Sequence, residues 1–218
     1  MKEMLQSMKY DVNEIFYSID GEGPNSGKLS VFIRLNYCNL RCSYCDTEYA
    51  FKRVYNFMTV NEIIDEVESY KIKSVTITGG EPLAQDLEEL ISGLLKLGYE
   101  IDIETNGSKD VSKYLLNNVN IILDIKTPTS KMEDFNLYEN LKLLRGNDVV
   151  KFVVADEFDM NFIVEVMKLY PTDAQIFLSP VYGTDIDKLV EYMKNYRINA
   201  RLQLQIHKYI WDSEMRGV

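Results

Sequence analysis

The sequence predicts an α/β protein, an open and incomplete TIM-type barrel of about six parallel βα units forming one domain over residues 1–218. Three observations lead there. Short β-branched and aromatic runs alternate with stretches of helical spacing along most of the 218 residues. No repeat or low-complexity linker divides the chain. The polar segments that break the pattern follow the strands, where the functional loops of a parallel sheet lie.

In chain order, Asn13–Ile19 is apolar and aromatic and reads as a strand, followed by a turn-rich loop from Asp20 to Gly27. Ser30–Tyr37 is a second strand leading directly into CNLRCSYC, which holds all three cysteines. Asn61–Tyr70 places Ile63, Ile64 and Val67 on one helical face, with Thr59 or Asn61 as the cap. Ser74–Thr78 is a strand ending at Gly79-Gly80, and Leu83–Leu97 is an amphipathic helix with Leu87, Leu90, Ile91, Leu94 and Leu95 inward. Strand Glu100–Glu104 ends in ETNG. The same reading gives helix Asp110–Asn117, strand Asn120–Asp124, a helix near Asp134–Leu144 and strand Val149–Val154. It closes with helix Asp159–Leu169, strand Gln175–Leu178, helix Asp185–Tyr196 and strand Arg201–Gln205 before His207.

A net charge of −10 argues against broad nucleic-acid or anionic-membrane binding, which needs clustered Lys and Arg. No run approaches the roughly 18 apolar residues of a membrane helix, and the first residues lack a secretory h-region. The odd, bunched set of cysteines Cys38, Cys42 and Cys45 is unsuited to a disulfide framework. A reduced, cytoplasmic protein is expected.

Spacings of three and then two intervening residues let one loop offer three thiolates to a cluster while leaving one metal corner open. The alternative is a structural zinc site with His207, the one histidine, as fourth ligand. The C-x3-C-x2-C pattern after a strand, with Gly79-Gly80-Glu81 at the end of the next βα unit, resembles the radical S-adenosylmethionine superfamily. The resemblance implies a radical SAM core with a [4Fe-4S] cluster on Cys38, Cys42 and Cys45. It further implies S-adenosylmethionine on the fourth iron, with Gly79, Gly80 and Glu81 meeting the methionine ammonium.

At finer grain, Asp20-Gly-Glu22-Gly, Arg34, Cys45-Asp46-Thr47 with Ala50-Phe51, and Gln205-Ile-His207-Lys-Tyr-Ile-Trp211 together resemble the 7-carboxy-7-deazaguanine synthase family. That family implies a radical lyase of deazapurine (queuosine) biosynthesis. It converts 6-carboxy-5,6,7,8-tetrahydropterin to 7-carboxy-7-deazaguanine with loss of ammonia. The implied cofactors are the cluster, S-adenosylmethionine and Mg²⁺, and the implied partners are an electron donor such as a flavodoxin or ferredoxin and a second copy in a homodimer.

The same resemblance assigns Asp20, Glu22, Arg34 and His207 to the pterin. It assigns Glu104, Asn106, Lys126 and Ser130 to the cofactor's nucleoside or methionine part, and Thr47 to Mg²⁺ with Asp46 behind it. Each has a plainer alternative. Arg34 can be a rim ion pair, Glu22 part of a turn, Asp46-Thr47 a cap, and His207 a structural residue; Glu104 and Asn106 can cap a following helix. Asp20 stands where the family usually carries Gln, replacing a group that donates and accepts with one that only accepts when ionised. Two further readings share parts of the pattern. A glycyl-radical activase would have the same cysteine spacing but leaves Arg34, Thr47 and His207 unexplained; a Cys3His zinc module leaves GGEP and ETNG unexplained.

Overall fold

Period-two alternation along the strands gives one sheet two unlike faces. In β2 (Leu29–Leu35), Val31, Ile33 and Leu35 point one way and Ser30, Phe32 and Arg34 the other. The pattern recurs in β4 (Ser74–Gly79), β5 (Glu100–Thr105), β6 (Val119–Ile125), β7 (Val149–Val154) and β8 (Gln175–Pro180). The apolar face joins the helices in one continuous core that includes Ile77, Ile103, Leu123, Phe152 and Leu178. The other face lines the inside of a partial barrel. There Ile122, Val149 and Phe177 form a small separate apolar plug.

The computed structural model describes residues 8–213 and 215–218; the first seven of the sixteen residues read for a leader lie outside them. The strand order is β3-β1-β2-β4-β5-β6-β7-β8-β9, with β9 at Arg201–Leu202. β2 and β4 through β9 run parallel. β1 (Lys9–Ile19) pairs antiparallel with both β2 and β3 (Phe57–Thr59), an edge the sequence reading did not separate from the parallel set. The edge strands β3 and β9 do not pair with each other, so the barrel stays open. The loop after β1 spans part of the gap: Gln203 exchanges two hydrogen bonds of 3.0 Å with the Gly23 backbone, and Ile206 N–H donates to Gly21 O.

Helix α1 (Val60–Ser69) begins at Thr59, which forms a reciprocal capping box with Glu62. Helix α2 runs only over Glu88–Lys96, because a 3-10 turn at Pro82–Ala84 takes up the start of the expected helix; Leu95, half-buried, packs against the core as expected. Asp156 and Asp185 cap α3 (Glu157–Leu169) and α4 (Ile186–Tyr196). No described helix is long and apolar enough to cross a membrane.

Two expected helices are replaced by 3-10 turns, at Ser112–Tyr114 and at Glu133–Phe135 with Tyr138–Lys142. Asparagine side chains have captured the backbone there. Asn140 accepts from Val111 N–H and donates to Lys109 O, while Asn136 accepts from Lys126 N–H and donates to Lys126 O. Segments this short cannot offset helix nucleation against such competitors. The β5–β6 and β6–β7 crossovers therefore carry no α-helix. The final strand also stops at Leu202 instead of Gln205, because Gln203 turns to clamp Gly23.

Candidate active site

A cavity of about 740 Å³ opens at the C-terminal ends of the strands. That size suits two small organic molecules side by side. Cys38, Cys42 and Cys45 line one part of it; Asp20, Glu22, Arg34 and His207 line another.

The cysteine loop is set by backbone that few residues adopt. Tyr37, directly before Cys38, has φ 78°, a left-handed conformation that costs about 1 kcal/mol or more for a non-glycine residue. Its N–H donates to Ala50 O and its carbonyl accepts from Glu81 N–H, so cysteine loop and Gly-Gly turn are tied together. Gly79 has φ 140°, and a Cβ on it or on Gly80 would collide with the backbone of Leu35 or Tyr37. Arg41 donates to Cys38 O at 2.8 Å, and Ser43 donates through its hydroxyl to Thr129 O and through its N–H to Ser130 O.

All three thiols are free. Burial pushes the Cys42 thiol up and that of Cys45 up to about 11, so both hold protons until a cation offsets the burial. Among the described residues, no three His, Cys, Asp or Glu side chains converge on a single ion. A Cys3His zinc centre requires such convergence, whereas a cubane holds its thiolates apart on separate irons. The soft donor set, its place on the cavity wall and the room in front of it fit an iron–sulfur cluster with a ligand on its open corner. Asp124 Oδ1, buried without a partner among the described residues in the same cavity, fits a ligand bearing hydrogen-bond donors.

Beside the cysteines, the expected cofactor residues divide. The Gly79 and Gly80 backbone, Glu104, Asn106 and Lys126 line the cavity. Asn106 donates to Asn39 Oδ1 at 3.1 Å and lies 3.8 Å from the Cys38 sulfur. Lys126 Nζ is 2.9 Å from Asp124 Oδ2 and stays charged: burial opposes the charge, but the Asp124 carboxylate outweighs it. Glu81 and Ser130 do not line the cavity. The Glu81 carboxylate faces inward, accepting from Leu83 N–H, Thr105 Oγ1 and Asn106 N–H at 2.7–2.9 Å. Ser130 Oγ donates to Thr127 O and accepts from Met132 N–H. Both side chains brace the loops that carry the site.

On the other wall, Arg34 is aligned by β1. Its Nε donates to Glu14 Oε1 at 2.8 Å, and its guanidinium lies over the rings of Phe16 and Tyr49. Glu22 is held at both oxygens, by Lys151 Nζ at 2.6 Å and by Gln205 Nε2 at 2.6 Å. Burial opposes its charge, but the Lys151 ammonium keeps its pKa below the usual carboxylate value. Asp20 is 2% exposed, accepts from Glu22 N–H, and is pushed up to about 8 by burial and the nearby Glu104. His207 packs on Gly21 so closely that a Cβ there would clash with its Nδ1, and burial lowers its pKa toward the neutral imidazole. Thr47 donates to Asp46 Oδ1, and Asp46 is held ionised well below the usual range by Lys208, against the cost of burial.

Sequence reasoning assigned no individual role to Lys151, Asp124 or Gln205, all of which line the cavity. An available signal for the first two was a charged residue inside an apolar strand pattern, at Asp124 in NIILDI and at Lys151 in VVKFVV.

Residues 32–153 match the family model described as the radical SAM superfamily. A Clostridium acetobutylicum protein named 7-carboxy-7-deazaguanine synthase is 42% identical, over 97% of this chain and 100% of the relative. Proteins of the same name from Methanospirillum hungatei and Thermoplasma acidophilum are 41% and 34% identical over 94% and 92% of this chain, and over 87% and 96% of their own lengths. The crystal structure of QueE from Escherichia coli shares the fold at a TM-score of 0.77, with 23% identity over 92% of this chain and 96% of that one. The full-length similarity, together with the three-cysteine loop on the rim of an open barrel, establishes that this chain belongs to the 7-carboxy-7-deazaguanine synthase family of the radical SAM superfamily.

Proposed function

We propose that this chain is a radical carbon–nitrogen lyase converting 6-carboxy-5,6,7,8-tetrahydropterin to 7-carboxy-7-deazaguanine with release of ammonia. One observation carries the reading. A single cavity holds three thiols on one wall and, on the other, an ordered guanidinium beside a carboxylate, a neutral histidine and a protonated acid. Those groups complement a flat ring system bearing N–H donors, ring acceptors and a carboxylate.

Cys38, Cys42 and Cys45 would hold the [4Fe-4S] cluster, with Gly79, Gly80, Glu104, Asn106 and Lys126 around S-adenosylmethionine. When bound, the cluster and S-adenosylmethionine supply a 5′-deoxyadenosyl radical. The chain itself binds, orients and excludes water. Arg34 pairs with the substrate carboxylate while Glu14 fixes its Nε. Glu22 accepts from ring N–H groups. His207, neutral and seated on Gly21, offers one donor and one acceptor. At neutral pH Asp20 carries its proton and so both donates and accepts, which restores what the family's amide does at this position.

Thr47 would give a hydroxyl to Mg²⁺, with the ionised Asp46 behind it through water. The remaining parts of the reading are a single domain, a homodimer, cytoplasmic residence and a flavodoxin- or ferredoxin-type electron donor. They follow the family resemblance and the acidic, disulfide-free composition.

The test is anaerobic reconstitution with iron and sulfide, then incubation with S-adenosylmethionine, Mg²⁺, reductant and 6-carboxytetrahydropterin. Formation of 7-carboxy-7-deazaguanine by mass spectrometry is the expected result. Cleavage of S-adenosylmethionine without that product would overturn the substrate assignment.

A further inference from the structure

Lys151 lies in β7 in register with Asp124 of β6, and both side chains point into the barrel. The ammonium is 2.6 Å from Glu22 Oε2 and 3.6 Å from Asp124 Oδ2. Asp124 Oδ2 is also 2.9 Å from Lys126 Nζ, so an unbroken row of alternating charges crosses the cavity floor: Lys126, Asp124, Lys151, Glu22. The groups are at most 16% exposed. Gln205 grips the other Glu22 oxygen from the opposite side. A carboxylate held at both oxygens from two elements has one orientation.

We infer that Lys151 is the positioning residue of the pterin site, fixing the Glu22 carboxylate to accept from the substrate ring. The inference rests on the proposed pterin reaction.

Other groups around Glu22 cannot replace this ammonium. Its own loop presents Asp20, β5 presents Glu104, β6 presents Asp124, and the cysteine loop presents Asp46. The C-terminal segment offers Lys208, already paired with Asp46, and His207, held toward its neutral form. Arg34 of β2 is paired with Glu14. Without Lys151, Glu22 faces mainly negative neighbours in a site of low dielectric, and it takes up a proton nearer neutrality. A protonated carboxyl then presents the ring with one acceptor fewer.

The test is equilibrium binding of 6-carboxypterin, the fluorescent oxidised form of the proposed substrate, to the reconstituted protein with S-adenosylmethionine, from about pH 5.5 to about 7.5. Thermal melts serve as the folding control. The wild-type chain sets the reference profile, which already carries whatever His207 and Asp20 contribute across that window. Lys151→Met should bind roughly ten- to a hundredfold more weakly at the acid end, with affinity recovering as pH rises. Lys151→Arg should restore most of the affinity and the wild-type profile. Equal affinity in wild type and Lys151→Met, or a loss that is the same at every pH and not rescued by Lys151→Arg, overturns the inference.

Should Lys151→Met not fold, Glu22→Gln and Glu22→Gln/Lys151→Met decide. Similar affinities support the coupling, and a further large loss in the double variant overturns it. Absence of pterin binding by the wild-type chain overturns the functional reading itself, and this inference with it.

Discussion

On one side of β7, Val150, Phe152 and Val154 are buried in the helix-covered core; on the other, Lys151 lies between Glu22 and Asp124. The same contrast runs through β4, β5 and β6, where Ile77, Ile103 and Leu123 back onto Thr78, Glu104 and Asp124. The outer face contributes burial, at about 25 cal/mol for each Å² of apolar surface. The inner face gathers charges that burial disfavours, each tolerated through a specific partner. Stability and chemistry are thus separated by a period of two residues. Changes on one face should leave the other's property largely intact.

The largest effect on this division should come from the cavity rim. Cys42→Ala is expected to abolish cluster loading and all product formation while leaving the thermal midpoint of the unloaded chain within a few degrees. Iron content, visible absorbance and a melt check it together. A large drop in the unloaded midpoint would mean that the loop also holds up the fold. On the outer face, Phe152→Ala should cost about 3–5 kcal/mol in denaturant unfolding, with the turnover of the folded fraction kept. Equal losses of stability and turnover would break the separation of faces.

Arg34→Ala should lower pterin turnover on the order of a hundredfold, because a charge-assisted pair is lost, while slow cleavage of S-adenosylmethionine continues. Product and 5′-deoxyadenosine measured in the same reaction separate the two. Unchanged turnover would remove Arg34 from the substrate wall.

The smallest effect near neutral pH should be that of Asp20→Asn, since the wild-type side chain already carries a proton there; turnover at pH 7 is expected to change by no more than about threefold. The sign of its stability effect follows from linkage. The native carboxyl keeps its proton up to about pH 8, far above its unfolded value near 3.8. Its contribution is therefore fully present below about pH 4 and is lost progressively as pH rises to about 8, by at most about 1.4 kcal/mol per unit. Asn does not titrate in this range. Stability of Asp20→Asn relative to wild type should thus grow between pH 4 and 8 and level off above, as read by denaturant midpoints. A pH-independent difference would show that Asp20 is ionised in the native chain.

Residues 38–45 and the turn at Gly79-Gly80 were legible because their requirements are local: ligand spacing in one case, a backbone only glycine adopts easily in the other. Arg34, Glu22, Asp20 and His207 were found through family resemblance, and the structure brings all four to one cavity. The helices expected at Asp110–Asn117 and Asp134–Leu144 were read from hydrophobic spacing, but Asn136 and Asn140 bind backbone groups and leave 3-10 turns there. The direction of Glu81 depended likewise on Thr105 and Asn106, from a neighbouring strand and its loop.

By itself the sequence determined the alternation that makes an open α/β barrel, the three-thiol loop and the glycine turn beside it, because each is encoded within a few residues. The tertiary structure alone decided which charges meet. Lys151 and Glu22 are 129 positions apart, and only strand order, register and the closing of the first loop onto the last segment bring them to 2.6 Å. A buried charge has no preferred partner in sequence; its partner is whichever opposite charge the fold carries to the same dry place.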